Sequence, residues 1–164
     1  MHRKKWFLVV VALSFLFSFY TLGTVQAADS VLKQTKKAAK NGHVINSKFG
    51  VNSKKGKIIK AYGEPDQQDE TFLDYYQSRQ VAFQLNKENV EMVYSNSIEY
   101  QGLTSDDVEK ELGKPNCAEG AMGKAYWSYH LGKYLLTFQF KNEEVKPIQQ
   151  VLVEKNRKCN EVKR

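Results

Sequence analysis

Five acidic side chains in one short stretch are the clearest candidates for catalytic chemistry. They lie between residues 64 and 74 and are Glu64, Asp66, Asp69, Glu70 and Asp74. Two such carboxylates can act as the acid and the base of a glycoside hydrolase. Their spacing matches no calcium loop, which needs about six or more oxygen ligands and a central glycine. We interpret the stretch as a solvated loop, and a secreted envelope-modifying hydrolase using the acidic residues of the 64–74 loop is the alternative function.

The sequence lacks the common motifs of catalysis and cofactor binding. It has no glycine-rich phosphate loop, no Gly-x-Ser-x-Gly elbow and no His-Glu-x-x-His motif. Its three histidines and two cysteines are too few for a histidine-rich or four-cysteine metal centre. We predict that the protein is not an enzyme and has neither a cofactor nor a metal site.

Aromatic residues recur in strand-like segments of both halves of the chain. Each half contains two consecutive aromatic residues, at positions 75–76 and 126–127. Neighbouring strand residues point to opposite faces, so one member of each pair should face away from the core. Core packing must account for at least half of the aromatic side chains, but exposed ones would anchor a partner or stack on sugars. The predicted binding surface consists of Tyr75, Tyr76, Arg79, Tyr126, Trp127, Tyr129 and Lys133.

Residues 1–27 have the pattern of a signal peptide. A basic run precedes the apolar residues 6–20, and Val25-Gln26-Ala27 fits a signal-peptidase site. An uncleaved anchor is the alternative, because the apolar run extended to Gly23 nearly reaches the length of a membrane span. We expect cleavage after Ala27, no stable membrane insertion afterwards, and a secreted or extracellular protein that is either released or associated with the cell wall.

Positive charge is concentrated just after this segment. Residues 28–60 contain nine lysines and one acidic residue, whereas the whole chain carries a net charge of +7. Outside the cytosol such charge favours wall polymers or lipid headgroups over nucleic acid, which we do not expect as a partner. We predict a basic helical N-terminal arm at residues 28–48 that contacts an anionic envelope surface, with a solvated tether as the alternative. The contacting residues would be Lys33, Lys36, Lys37 and Lys40.

The two cysteines, Cys117 and Cys159, both lie beyond the predicted cleavage site. An even number in an exported chain favours a disulfide. Closing a loop of roughly 40 residues would stabilise the fold by about 4 kcal/mol in the chain-entropy model. The alternatives are two free thiols, or a Cys117 nucleophile paired with a histidine, either His130 or His43.

A repeated pattern indicates how these residues are positioned. Residues 58–66 align with residues 108–116, with Lys, Gly and Pro identical. Each copy is typical of a short helix that ends at the glycine, because the proline two residues later cannot continue it. Segments with period-two alternation follow, at 71–78, 80–85 and 90–95 in the first copy and at 125–131, 134–140 and 148–153 in the second.

We therefore predict an α+β fold. It is a tandem repeat of a short helix and about three antiparallel strands, with the helices packed on one face of the sheet. The domain would span residues 49–158, with repeat 1 at about 49–99, repeat 2 at about 100–158 and a tail at 159–164. Residues 30–40 should form one additional helix.

The duplicated Gly-x-Pro motif, at residues 63–65 and 113–115, with its Tyr/Trp strands resembles a family of secreted, uncharacterised domains of Gram-positive spore-formers. More distantly, the unit is similar to the repeats of the beta-lactamase inhibitory protein and of the small lipoprotein of the outer-membrane barrel-assembly machinery. The resemblance covers about residues 49–153. It implies an inhibitor-like or scaffold role, and the missing lipobox cysteine argues against a lipid anchor. We predict an exported, non-enzymatic binding module of the cell envelope or secreted fraction, whose partner is an unknown protein or a cell-wall polymer.

Overall fold

Eight antiparallel strands form one sheet. The computed structural model describes residue 28, residues 30–141 and residues 147–157; the predicted signal peptide and the predicted tail with Cys159 lie outside the described residues. The strands are β1 (Gln67–Gln68), β2 (Phe72–Tyr75), β3 (Val81–Asn86), β4 (Asn89–Ser95), β5 (Cys117–Ala121), β6 (Lys124–Leu131), β7 (Tyr134–Phe140) and β8 (Ile148–Lys155). Their spatial order is β1-β2-β3-β4-β8-β7-β6-β5, so the β4–β8 pair joins two four-stranded halves.

The helices are short. Residues 30–39 form α1, followed by α2 (Lys55–Tyr62), α3 (Tyr76–Arg79), a 3-10 turn (Ile98–Tyr100) and α4 (Ser105–Leu112). The α+β class is confirmed, but the structure is mostly sheet. Each half has four strands rather than about three, because the residues after each Gly-x-Pro turn add β1 and β5.

Glycines end α2 and α4, as the sequence pattern predicts. Gly63 and Gly113 have φ angles of 83° and 81°, a region that disfavours side chains. Their backbone N–H groups donate to Ile59 and Glu109 carbonyls at 2.9 and 2.8 Å. At the other end of α4, the Thr104 hydroxyl and the Asp107 carboxylate form a capping box. These contacts fix where each helix stops and the following strand begins.

The strand predicted through residues 71–78 stops early. β2 ends at Tyr75, and Tyr76 begins α3. The Asp74 carboxylate accepts a hydrogen bond from the Tyr76 backbone N–H at 2.6 Å, and Asp66 accepts one from Gln77 N–H at 2.8 Å. These carboxylates satisfy the N–H groups that open a helical turn, so the backbone leaves the sheet there.

One face of the sheet and the helices enclose the hydrophobic core. Ile58 of α2 and Val108 of α4 are fully buried in it. The opposite face, called the open sheet face, carries mixed side chains such as Gln84 and Tyr94, which hydrogen bond at 2.7 Å. Within the described residues, no helix is long and apolar enough to cross a membrane.

The basic helix α1 packs on this core. Leu32 and Ala39 are fully buried, and the Thr35 hydroxyl lies 3.2 Å from the Tyr100 hydroxyl. The interpretation of this segment as a solvated tether is therefore wrong, because its apolar stripe is covered by the sheet. This packing sets the backbone positions of the α1 lysines on the surface of the fold.

Candidate functional site

The predicted aromatic surface is divided between the two faces of the sheet. Tyr75 and Tyr129 are 0% and 4% exposed and pack in the core. The assignment of Tyr75 to a binding surface is therefore corrected, whereas Tyr129 also lines a cavity described below. Their hydroxyls donate to the carbonyls of Gly63 and Gly113 at 2.8 and 3.0 Å. Burial raises the pKa of each phenol. Through these bonds both tyrosines orient the turns that follow α2 and α4.

Trp127 also belongs to the helix-covered side. It is half-buried, and its ring centroid lies 5.2 Å from that of Phe140. Tyr76 and Tyr126 lie on the open sheet face and are half-buried as well, with the Tyr76 hydroxyl accepting a hydrogen bond from Gln150 Nε2 at 2.6 Å. Tyr126 and Trp127 face opposite sides because they are consecutive strand residues, whereas Tyr76 is separated from Tyr75 because it begins α3. These side chains therefore do not form one exposed patch.

The two predicted cations, Arg79 and Lys133, have different surroundings. The Arg79 guanidinium lies 4.2 Å from the ring centroid of Tyr62, in a cation–π contact near the end of α2. Lys133 lies in the β6–β7 turn, in the other half of the sheet, and lines a cavity. Only Lys133 therefore points to a ligand site.

This cavity, which we call the lysine cavity, has a volume of about 950 Å³ and is open to solvent. Its polar lining includes Lys36 of α1 and Lys40 directly after it, Lys114 and Asn116 of the α4–β5 connection, and His130 and Lys133 of the β6–β7 hairpin. No carboxylate is among the described residues that line it. Four positive charges from three chain segments thus face one concave surface.

The end of α1 is fitted closely to the β6–β7 hairpin. Lys36 and Lys40 are one helical turn apart and so share a face of the helix. The turn that follows α1 reaches Gly42, whose φ is 79°, and a side chain there would meet the Tyr134 ring at 2.8 Å. Asn41 follows Lys40, and its Nδ2 donates to the Lys37 carbonyl at 3.1 Å. The missing side chain at Gly42 allows α1 to approach β7.

The β6–β7 turn is held by a residue beyond β8. Asn156 donates its side-chain amide to the Gly132 carbonyl and its backbone N–H to the Lys133 carbonyl, both at 2.9 Å. The Asn156 Oδ1 lies 2.6 Å from His130 Nδ1. The turn between β6 and β7 consists of Gly132 and Lys133, with Gly132 at a φ of 70°. These bonds fix the backbone that carries Lys133.

The α4–β5 connection is tied to the same hairpin. Asn116 accepts a hydrogen bond from the His130 backbone N–H at 2.9 Å, and its own N–H donates to the Ser128 carbonyl at 2.9 Å. The hydrogen bond from the Tyr129 hydroxyl to the Gly113 carbonyl holds the residue directly before Lys114. Lys114 lies between these two anchors, at the wall of the cavity.

The four lysines predicted to contact an anionic surface differ in their surroundings. Lys36 and Lys40 line the cavity. Lys33 approaches the Glu111 carboxylate to 3.8 Å, so part of its charge is neutralised. Lys37 is exposed on α1 and does not line the cavity. The site therefore combines half of the predicted set with Lys114, which the sequence analysis did not select.

The acidic loop has structural hydrogen bonds. Asp69 accepts from the Thr71 backbone N–H at 2.6 Å and from its hydroxyl at 2.9 Å, and these bonds lower the pKa of the Asp69 carboxyl. Asp66 and Asp74 bind the start of α3, as described above. Across the described residues, no group of three or more His, Cys, Asp or Glu side chains could hold a metal ion.

Cys117 opens β5 and is 1% exposed. Its predicted partner, Cys159, lies outside the described residues, so the disulfide stays a prediction. Burial at 1% exposure does not favour the alternative of a Cys117 nucleophile, which needs access to its substrate.

The fold is similar to that of a protein of known structure. The crystal structure of a DUF4309 family protein (YjgB) from Bacillus subtilis subsp. subtilis str. 168 superposes with a TM-score of 0.68, at 21% sequence identity, over 80% of this chain and 99% of that chain. At this identity the likeness concerns the fold alone. No curated protein matches the chain.

The Bacillus relative is compatible with the predicted resemblance to domains of Gram-positive spore-formers. The more distant similarity to the beta-lactamase inhibitory protein is not among these findings. The matched region begins inside α1, which agrees with the packing of that helix on the core. Residues 32–153 match the family described as Domain of unknown function (DUF4309), and the chain belongs to that family.

Proposed function

We propose that the chain is an exported, non-enzymatic binding module whose lysine cavity holds an anionic ligand of the cell envelope or secreted fraction. One observation carries the proposal: four lysines from three separate segments line the same concave surface. Export is inferred from the signal-peptide pattern of residues 1–27.

Electrostatics favours an anion in this cavity. A unit charge about 4 Å from an ammonium group gains about 1 kcal/mol in water and more where solvent is partly excluded. A concave surface of one sign also concentrates the field and attracts counter-ions. An anionic ligand would relieve the mutual repulsion of Lys36, Lys40, Lys114 and Lys133 while it binds.

The hydrolase alternative has less support. Three acidic residues of the 64–74 loop, Asp66, Asp69 and Asp74, already accept hydrogen bonds from backbone N–H groups. A hydrolase needs a concave pocket in which such groups converge on a substrate. The lysine cavity has the concave shape but no carboxylate among its described lining residues.

We also propose that the two halves are copies of one helix–turn–strand unit. The support comes from matching hydrogen bonds. The hydrogen bond from the Tyr75 hydroxyl to the Gly63 carbonyl corresponds to that from Tyr129 to Gly113. The backbone N–H of Asp66 donates to the Asp74 carbonyl at 2.7 Å, and the N–H of Asn116 donates in the same way to the Ser128 carbonyl. The loops that follow the two glycines differ in charge, with Glu64 and Asp66 after Gly63 and Lys114 after Gly113.

The test measures retention of the chain without residues 1–27 on anionic envelope material. The double variant Lys36→Glu with Lys133→Glu should lose affinity by about tenfold or more, at about 1 kcal/mol or more per charge pair. The control is Lys57→Glu with Lys124→Glu, which changes the net charge equally at exposed positions outside the cavity. Equal losses in the two double variants would contradict the proposal, because net charge alone would then explain retention.

A further inference from the structure

We propose that the lysine cavity binds a phosphodiester-linked polyol chain, with several phosphates of the chain held at once. This inference rests on the proposed function and names the class of its ligand. Three features support it: the distribution of the lysines, the neutral polar groups between them, and the concave shape.

The positive charge is spread over the cavity wall. Lys36 of α1 and Lys40 directly after it are one helical turn apart, with Cβ atoms about 6 Å from each other, and the Lys40 N–H donates to the Lys36 carbonyl at 3.1 Å. Lys114 and Lys133 come from two other connections. Each ammonium is a compact point charge of the kind that binds phosphate, whereas planar carboxylates are recognised best by the two-pronged guanidinium group. A chain with repeated phosphates offers a separate phosphate to several of these charges, whereas a single small anion offers one.

Two neutral amides in the cavity have atoms available for a hydroxyl group. Asn116 uses its Oδ1 for the His130 backbone, and Asn41 uses its Nδ2 for the Lys37 carbonyl. Within the described part of the chain, Asn116 Nδ2 and Asn41 Oδ1 make no hydrogen bond. One is a donor and the other an acceptor, which matches a hydroxyl group that both accepts and donates. A polyol supplies such hydroxyls between its phosphates.

The apolar lining suits the carbon atoms of such a chain. Leu112, Leu131 and the half-buried Tyr134 line the cavity beside the lysines. A flat lipid surface is a poorer match, because it cannot enter a concave site. Within the described residues, the exposed large apolar side chains are Ile98 and Met122, and neither lines the cavity.

The experiment measures dissociation constants of the exported chain for defined probes at about 50 and 200 mM salt. The main probe is poly(glycerol phosphate). Four other probes each change one feature. Inorganic polyphosphate of equal charge lacks the hydroxyl groups, and glycerol 3-phosphate has only one phosphate. Poly-L-glutamate has carboxylates in place of phosphates, and phosphatidylglycerol vesicles present a lipid surface.

We expect the affinity for poly(glycerol phosphate) to fall about 50-fold between the two salt concentrations, as for four phosphates neutralised, and that for glycerol 3-phosphate about threefold. The polyol polymer should bind about tenfold more tightly than inorganic polyphosphate, since a hydrogen-bonded hydroxyl contributes about 1 kcal/mol. Lys40→Gln with Lys114→Gln should reduce the salt dependence to about sevenfold.

The outcomes separate the two proposals. The ligand class would be overturned if poly-L-glutamate, glycerol 3-phosphate or the vesicles bound as tightly as the polyol polymer. The proposed function would still hold if the Lys40→Gln, Lys114→Gln variant lost the same affinity for that probe as for the polyol polymer. Inorganic polyphosphate that binds equally well would overturn the polyol part. If none of the probes binds, or if the lysine substitutions change no affinity, both proposals fail. Circular dichroism of the variant excludes loss of the fold as the cause.

Discussion

The Tyr129 hydroxyl donates a hydrogen bond of 3.0 Å to the carbonyl oxygen of Gly113. This bond joins β6 to the end of α4, one residue before Lys114. The Tyr75 hydroxyl makes the corresponding bond to Gly63 at 2.8 Å, where Glu64 follows instead of a lysine. The same device thus orients a turn in each half, but only the second turn contributes a positive charge to the lysine cavity.

Tyr129→Phe should lower both stability and anion binding. Loss of the hydroxyl removes one hydrogen bond and leaves the Gly113 carbonyl without it, so we expect a loss of about 1 kcal/mol in the free energy of unfolding measured in urea. The turn carrying Lys114 should become less ordered, and ligand affinity should fall several-fold. Tyr75→Phe is the matched control, with a similar loss of stability and unchanged affinity. Equal affinity losses in the two variants would show that the bond does not position the cavity.

The fit of α1 against β7 gives a second prediction. In Gly42→Ala, the new methyl group would approach the Tyr134 ring to 2.8 Å at a φ of 79°. We expect a loss of about 1–3 kcal/mol in the free energy of unfolding, from backbone strain and the clash. Gly56→Ala in α2 is the control, because nothing lies within 4 Å of its Cβ position, and it should be neutral or stabilising. A neutral Gly42→Ala would mean that α1 is not held as closely as described.

Much of the fold follows from local sequence signals. The Gly-x-Pro motifs predict the ends of α2 and α4, and period-two alternation predicts β3, β6 and β7, because these patterns reflect backbone geometry within a few residues. The end of β2 at Tyr75 was missed, because it depends on Asp66 and Asp74 binding the backbone N–H groups of the next turn. Such side-chain bonds compete with strand formation and leave no periodic signal.

The lysine cavity depends on long-range topology. Lys36 and Lys133 are almost a hundred positions apart, and they meet because α1 packs across the sheet beside the β6–β7 hairpin. Alternation predicted that consecutive aromatic residues lie on opposite faces, but not which face the helices cover. The sequence features that point toward the cavity are the lysine pair at positions 36 and 40 and the Gly132-Lys133 dipeptide. The sequence offered no reason to join them.

Buried tyrosines predict a loss of stability at high pH. Burial raises the pKa of the Tyr100 and Tyr129 phenols above the usual value of 10.0, whereas unfolding exposes them to water. A raised pKa in the folded state means that the stabilisation is complete below about pH 10 and is lost as the pH rises through the folded-state pKa. Urea unfolding at about pH 8 and at about pH 11 should show this decrease, with a smaller decrease in Tyr100→Phe. The raised pKa values would be contradicted if a pH titration of the native protein, followed by tyrosine absorbance, showed every phenol ionising near pH 10.

Processing of the exported chain gives another prediction. Intact-mass analysis should find a chain that begins at Ala28 and is lighter than its reduced form by two hydrogen atoms, as expected for a Cys117–Cys159 disulfide. Cys117→Ser and Cys159→Ser should each lower the free energy of unfolding, by up to about 4 kcal/mol in the chain-entropy model. If both thiols are alkylated in the unreduced, denatured protein, there is no disulfide. A chain that still begins at Met1 would contradict cleavage of the signal peptide.

The most direct test of the lysine cavity compares the reactivity of individual lysines with and without ligand. The chain is acetylated briefly in the presence and absence of poly(glycerol phosphate), and the rate at each lysine is read by mass spectrometry. We predict protection of Lys36, Lys40, Lys114 and Lys133, with Lys57 and Lys124 unchanged. Uniform protection of all surface lysines, or protection confined to lysines outside the cavity, would contradict the assignment of the lysine cavity as the binding site.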